Sequence, residues 1–534
     1  MKSLFTFLLF WLPYVAWAAP TVTILNGTYE GLYLPSLQQD VFLGIPYAQD
    51  TGGSNRFRIP QSLNETWDGS RPAKQYGHAC PDEEASSDGI YGMSENCLSI
   101  NIVRPTGVDL SSKLPIMLWI HGGSYQVGTT GLPTYNLTFL VQRSVEIGMP
   151  IIGASINYRK GGWGNMYSRE CESIRRRSRQ RYNLGESSGS FAVGQLLMTY
   201  GGRTDGLFHR SIQESGSAAT AWYNGSEWYQ PIYDKIVSQV NCSDVPDTLA
   251  CLRTVDYDTL YPFMASSKVD GPGFYPTVDG DIFPNYPTEL LYSGRFAHVP
   301  HLYGTNSDEG TDNAPEGPIN TDADLRDYLE HGMGFGFPSS TVARILELYP
   351  DDPAQGIPLD TGAERFADAG GWQYKRTAAI VGDIFYHAPR LDDARHYAKH
   401  SPDTYIYRFN TRGYVGGSGN GTVGGGGVGS LAPASKGVAH YSEVAFVFGN
   451  PTYVGPWPEY RALSEQMQDQ WIRFAYHGNP NGEGLPMWPR YGDGDKGLNL
   501  VLQTQGQGGS HVEEDTYRLA GREYLTQWAR RRHV

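Results

Sequence analysis

Gly185-Glu186-Ser187-Ser188-Gly189 reads G-x-S-x-G, the signature of a tight strand-to-helix turn that lifts a serine above the end of a sheet. Glycines flank the serine because strand and helix pack too closely there for side chains, and the turn strains the serine's own backbone. With 65 glycines in the chain, the pentapeptide alone decides little. What surrounds it decides more. Upstream, LPIMLWI (114–120) is a continuous apolar run ending in His121-Gly122-Gly123-Ser124. A run with no alternation suits a central strand buried on both faces of a parallel sheet, and PIIGASINYR (150–159) repeats the pattern.

Working outward, TVTILNGTYEGLY (21–33), DVFLGIPYAQ (40–49) and Asn101 to Arg104 read as strands on the N-terminal side. HRSIQESGS (209–217), VPHLYGTNSDEG (299–310) and DTYIYRFN (403–410) read as strands on the C-terminal side, each running into a polar loop. Helical patterns lie between them, as in ADLRDYLEHG (323–332) and YRALSEQMQDQWIRFAYHG (460–478). Alternating strand and helix predicts an α/β fold with a mostly parallel central sheet flanked by helices. In such sheets a site forms at the carboxyl ends of the strands. The glycine-serine stretch 415–430 reads as a flexible surface loop.

The formal net charge is −14 and the pI near 5.4, which argues against nucleic acid or anionic membrane as partners. Residues 1–18 have one lysine, an apolar run from Leu4 to Leu12 and small residues at Ala16 and Ala18. That is the pattern of a secretory signal peptide, leaving 19–534 as a single domain. No later stretch is apolar enough for a transmembrane segment. Sequons at Asn26, Asn64, Asn136, Asn224, Asn241 and Asn420 agree with secretion as a glycoprotein. Five cysteines permit two intrachain bridges at most. Cys80 and Cys97 are near each other in sequence, as are Cys242 and Cys251; Cys171 is the odd one.

A serine hydroxyl needs a base, and the base needs an orienting carboxylate. Behind an elbow of this kind the acid follows the serine and the histidine comes last. Asp308 and Glu309, in GTNSDEGT, stand where a strand's carboxyl end is expected. Histidines after them include His331, His387, His396, His400, His440 and His477. His440, in KGVAHYSEVAFVFG, has the most suitable position, on a loop entering an apolar segment. Amide donors for an oxyanion are expected from Ser188, which follows the serine, and from the turn at 121–124. With no H-E-x-x-H, no C-x-x-C and no G-x-G-x-x-G after a strand, neither a metal nor a cofactor is expected.

FLGIPYA (42–48), Arg56-Phe57, SENCLSIN (94–101), HGGSYQVG (121–128), INYR (156–159), GESSG, QESGS, SDEGT, GVAHYSE and WIRFAYHGNPN together resemble the type-B carboxylesterase/lipase family, which includes cholinesterases and secreted fungal lipases. The resemblance runs in order over nearly the whole chain after the leader. It implies an α/β-hydrolase fold acting on small-molecule esters or lipids, with Ser187 as nucleophile, Glu309 as acid and His440 as base. It also implies oxyanion donors at Gly123, Ser124 and Ser188, with Gly122 shaping the turn, and disulfides Cys80–Cys97 and Cys242–Cys251. Ser124 stands where the family has a third glycine; its amide survives that change.

Two departures bear on function. The Cys80–Cys97 loop, PDEEASSDGIYGMSEN, is short and acidic, where the family's lipases carry a longer amphipathic lid. That favours soluble short-chain esters over fat droplets, and the absence of tryptophan from the loop weighs against a cholinesterase. The second departure is the approach to Ser187, SRECESIRRRSRQRYNL (168–184), whose arginines do not suit a strand buried on both faces. Residues 165–184 are therefore anomalous, and a mis-assigned splice junction or reading frame accounts for them most simply. The rival functional reading is a catalytically impaired binding protein of the same fold.

Overall fold

The computed structural model describes residues 19–82, 91–109, 112–165, 181–221, 223, 226–264, 274–315, 317–415 and 429–531. The apolar runs form an eleven-stranded sheet. Its strands are β1 (Leu32–Leu34), β2 (Gln39–Pro46), β3 (Ser99–Pro105), β4 (Ile116–Ile120), β5 (Ile152–Ile156), β6 (Arg181–Glu186), β7 (Arg210–Glu214), β8 (His301–Asn306), β9 (Thr404–Phe409), β10 (Leu498–Leu502) and β11 (His511–Glu514). In space the order is β11-β10-β9-β8-β7-β6-β4-β5-β3-β2-β1. From β5 to β10 every pairing is parallel, and both margins are antiparallel.

Each central strand is buried on both faces, which is why its sequence does not alternate. Trp119, Tyr182, Leu184, Ile212, Leu302, Tyr405 and Tyr407 point into one core, together with Leu140 and Val141 of α1 (Leu137–Glu146). Leu118, Ile120, Tyr303 and Ile406 point to the other face, against α2 (Ser188–Met198) and α3 (Ala388–His400). The helix α4 (Pro458–His477) lays Met467, Trp471 and Phe474 on the first core, and α5 (Leu519–Arg531) closes the chain. The strands and the two helices expected from the sequence are all present. The strands β10 and β11 had no equivalent in the sequence reading.

The arginine-rich approach ends in a central strand: β6 pairs in parallel with β4 on one side and β7 on the other. Arg181 opens the strand, half-buried, and the buried positions begin at Tyr182. Only 181–186 need satisfy a two-faced core, and Tyr182, Asn183 and Leu184 do so. The other arginines of this approach, and Cys171, lie in 166–180, outside the described residues. Disulfides join Cys80 to Cys97 and Cys242 to Cys251.

The C-terminal helix is tied to the body through charge. Asp515, 1% exposed, takes two bonds from Arg390 of α3 at 2.7 and 2.8 Å and one from Arg522 of α5 at 2.8 Å. Burial alone would raise this carboxyl's pKa; the two guanidiniums outweigh burial and hold it well below the usual carboxylate range. Replacing Asp515 by Asn leaves two buried cations uncompensated and is expected to cost about 3–5 kcal/mol, read as a drop in the urea midpoint. Because the folded-state pKa is depressed, the pair's contribution is present above about pH 4 and is lost as the pH falls further. The wild-type midpoint should therefore drop more steeply below pH 4 than that of the Asp515→Asn protein.

Candidate active site

Ser187 sits between the end of β6 and the first turn of α2 with φ 55° and ψ −125°, a conformation side chains rarely adopt. Two close approaches force it. A Cβ on Gly185 would lie 2.4 Å from the carbonyl oxygen of Gly189, and one on Gly189 would lie 2.0 Å from that of Ile120. Backbone bonds hold the strained turn from both sides: Ser187 N–H donates to Glu214 O, and Phe191 N–H donates to Ser187 O, each at 2.9 Å.

Glu309 follows the carboxyl end of β8, and His440 lies on a loop beyond β9. Glu309 Oε2 meets His440 Nδ1 at 2.6 Å. Its other oxygen accepts from Ser215 Oγ at 2.6 Å and from the Asn306 amide at 2.7 Å, so both oxygens are fixed. Asp308 is engaged elsewhere, accepting the amides of Leu359 at 2.8 Å and Val438 at 2.7 Å. It thereby anchors the loop that carries His440. Of the other histidines considered, His387 is buried against Thr305 Oγ1, His331 is exposed beside Asp327, and His396, His400 and His477 lie near helix ends.

The turn after β4 lies directly against the elbow. A Cβ on Gly122 would meet Glu186 O at 2.8 Å and Ser187 Cβ at 3.0 Å. Gly123, Ser124 and Tyr125 then take φ values of 112°, 55° and 62°. Among the described residues, the amides of Gly123 and Ser124 donate to nothing. Ser188 is the first residue of α2, where an amide has no intrahelical acceptor. Ser187, its neighbouring amide and the turn at 122–124 therefore share one small region, as do Glu309 and His440.

Three groups escaped the sequence reading. Glu186, the residue before the serine, places Oε1 3.1 Å from His440 Nε2. Glu443, three residues after His440, takes a bond from Asn306 Nδ2 at 2.6 Å and one from Ser215 Oγ at 3.2 Å. Glu214 accepts from Trp471 Nε1 at 2.7 Å. All three lie within the quoted motifs GESSG, GVAHYSE and QESGS, yet local sequence held no signal for their convergence. With Glu309 they make four carboxylates, none more than 1% exposed, of which Glu186, Glu309 and Glu443 act on the His440 charge.

Burial raises the pKa of Glu186 and Glu214, and raises that of Glu443 to about 7. His440 goes the opposite way to most buried histidines. Burial alone would lower its pKa, but Glu186 and Glu309 outweigh burial and raise it to about 10. The ring of Tyr386 packs 4.5 Å from that of His440, presented by a π-turn at Asp383–His387. Nε2 makes no hydrogen bond to Ser187 in this arrangement; its near neighbour is Glu186. Among the described residues no group of three His, Cys, Asp or Glu side chains is placed to hold a metal ion.

A family model described as "Carboxylesterase family" matches residues 18–173 and 183–519, breaking off only across the arginine-rich approach to β6. Lipase 4 of Diutina rugosa is 29% identical over 571 residues, covering 95% of this chain and 96% of its own. That alignment is longer than the 534 residues of the chain, so the relative carries residues that this chain lacks. Lipase 1 of Geotrichum candidum is 29% identical, covering 93% of this chain and 92% of its own, and Secreted lipase 1 of Botryotinia fuckeliana is 28% identical over 95% and 93%. The crystal structure of Aspergillus niger EstA superposes with a TM-score of 0.78 at 24% identity, covering 97% of this chain and 99% of that one. The parallel sheet, the elbow and these matches lead to one conclusion: the chain has the α/β-hydrolase fold and belongs to the carboxylesterase family of carboxylic ester hydrolases.

Proposed function

We propose that the protein is a secreted esterase that works through an acyl-enzyme on Ser187, with 1–18 as its leader and 19–534 as one catalytic domain. The observation that supports this best is the 2.6 Å bond from Glu309 to His440 Nδ1 on a loop that also faces the strained serine turn. With Nδ1–H held by Glu309, Nε2 is the nitrogen left to accept a proton. Ser187 Oγ attacks the ester carbonyl, and Nε2 takes its proton and returns it to the departing alcohol. Water then repeats the sequence in reverse to release the acid. The amides of Gly123, Ser124 and Ser188 stabilise the oxyanion at each tetrahedral stage.

A cavity of about 280 Å³ is lined by Thr220, Tyr223, Phe335, Phe337, Phe385 and Trp528 among others. Thr220 Oγ1 bonds Phe385 O at 2.7 Å, next to the Tyr386 that packs on His440. Its apolar lining suits a hydrocarbon group, and its volume falls at the low end of small-molecule sites. Short-chain soluble esters are the substrates this favours, in keeping with the acidic Cys80–Cys97 loop.

A fluorophosphonate tag on the natively secreted protein tests the mechanism. Labelling should fall on Ser187 and vanish in Ser187→Ala; no label on folded protein would favour the binding-protein reading. Soluble esters of short acids should be turned over far faster than emulsified long-chain triacylglycerols, with no jump in rate at the substrate's solubility limit. His440 must be neutral to act as a base, and Glu186 helps to keep it charged. Glu186→Gln should therefore shift the acidic limb of the kcat/KM profile about 1–3 units towards lower pH; an unmoved limb would remove Glu186 from the mechanism. Glycan mapping should find Asn64 and Asn241 occupied, since both are exposed, and Asn136, half-buried with its side chain capping α1, unoccupied.

A further inference from the structure

The turn that supplies Gly123 and Ser124 is strained over three consecutive left-handed residues, two of them with side chains. Such a turn keeps its amides in place only if both of its ends are fixed. At the N-terminal end it continues β4, and Tyr158 OH donates to His121 O at 2.8 Å. In the middle, the Gly161 amide donates to Tyr125 O at 2.7 Å, and Gln126 Nε2 donates to Phe274 O at 2.7 Å. The C-terminal end is Gly128, at φ 106°, packed so tightly on His121 that a Cβ would lie 2.7 Å from the ring's Nδ1. Among the described residues, its carbonyl is held by one side-chain group, the ammonium of Lys160.

Lys160 is an odd residue to find there. Its side chain and that of Asp82, whose Oδ2 is 3.4 Å from Nζ, are both 0% exposed. Burying an ammonium and a carboxylate is costly, and well-packed apolar residues fill such space at no loss of stability. What an apolar residue cannot do is donate to a backbone carbonyl. Asp82 is positioned in its turn: it lies two residues beyond Cys80 of the Cys80–Cys97 disulfide, and its carbonyl accepts from Tyr261 OH at 2.7 Å. The tether thus runs from the disulfide through Asp82 and Lys160 to the last carbonyl of the turn.

We infer that Lys160, held by Asp82, is a positioning residue that pins the 121–128 turn through Gly128 O and so keeps the Gly123 and Ser124 amides aimed at the reacting oxygen. The catalytic part of this rests on the function proposed above; the tether itself does not. Besides Gly128 O, the titratable groups that face Nζ among the described residues are the Asp82 carboxylate and the His121 imidazole. Burial lowers the Lys160 pKa to about 8, with Asp82 opposing the fall, while His121 is kept neutral by burial and by the Lys160 charge.

Lys160→Met alone would strand a buried Asp82 and could unfold the protein, so the test uses the neutral pair Asp82→Asn/Lys160→Met beside wild type. Hydrogen exchange reads the tether without any need for activity. The amides of Gln126 and Val127, both bonded to Gly123 O in the fixed turn, should exchange at least about 10-fold faster in the double variant. Exchange in α4 should not change. Steady-state kinetics on a soluble short-chain ester should show kcat down about 10²-fold with KM within about threefold. A trifluoromethyl ketone, which binds as an oxyanion, should weaken in parallel with kcat. Unchanged exchange at Gln126 and Val127 overturns the tether. Faster exchange with unchanged kcat and ketone affinity overturns its catalytic role. If wild-type protein neither hydrolyses the ester nor takes the phosphonate, the proposed mechanism falls, while the exchange result still decides the tether.

Discussion

The carbonyl of Ile120 leaves no room for a side chain at Gly189, where a Cβ would come within 2.0 Å of it. This contact joins the end of one central strand to the first turn of the helix behind another. Because the 121–128 turn continues directly from Ile120, the contact also sets where Gly122 and Gly123 begin. The strained serine and the amides facing it are thus two sides of one steric constraint. Strain of this sort persists only where the surroundings over-determine it. Here they do, through parallel pairing of β6 on both edges and backbone bonds to Ser187 from β7 and α2.

Electrostatics single out one histidine from several that are buried. His121 and His301 are each lowered to about 3, with burial the leading cause, and His387 is lowered well below its usual range for the same reason. His440 is half-buried, its side chain 14% exposed, and carboxylates face both of its nitrogens, Glu309 at 2.6 Å and Glu186 at 3.1 Å. The same residue type is therefore pushed towards its neutral form in three places and towards its charged form in the fourth. Burial raises Glu186, Glu214 and Glu443 together, and repulsion from the neighbouring carboxylates adds to it.

The arginine-rich approach to β6 shows how little of a segment a central strand needs. Four residues, 182–185, pair on both edges, and the half-buried Arg181 that opens the strand pairs with β4 alone. The family match stops at 173 and resumes at 183, almost where the buried part of the strand begins.

Some of this was legible in the linear chain, because it depends on neighbours a few residues apart. Unalternating runs such as LPIMLWI announced strands buried on both faces, and the glycines around Ser187 announced a turn with no space for Cβ atoms. For an acid to follow Ser187, residues alone offered Asp308 or Glu309 without dividing them. Tertiary structure divided their roles, sending Glu309 to His440 across 131 residues and Asp308 to the backbone at Val438 across 130. It also brought Ser215 to Glu443 across 228 residues and Lys160 to Asp82 across 78. No periodicity encodes such pairs. Periodicity reports which face of an element is buried, whereas the partner of a buried charge is set by where distant strands end in the assembled sheet.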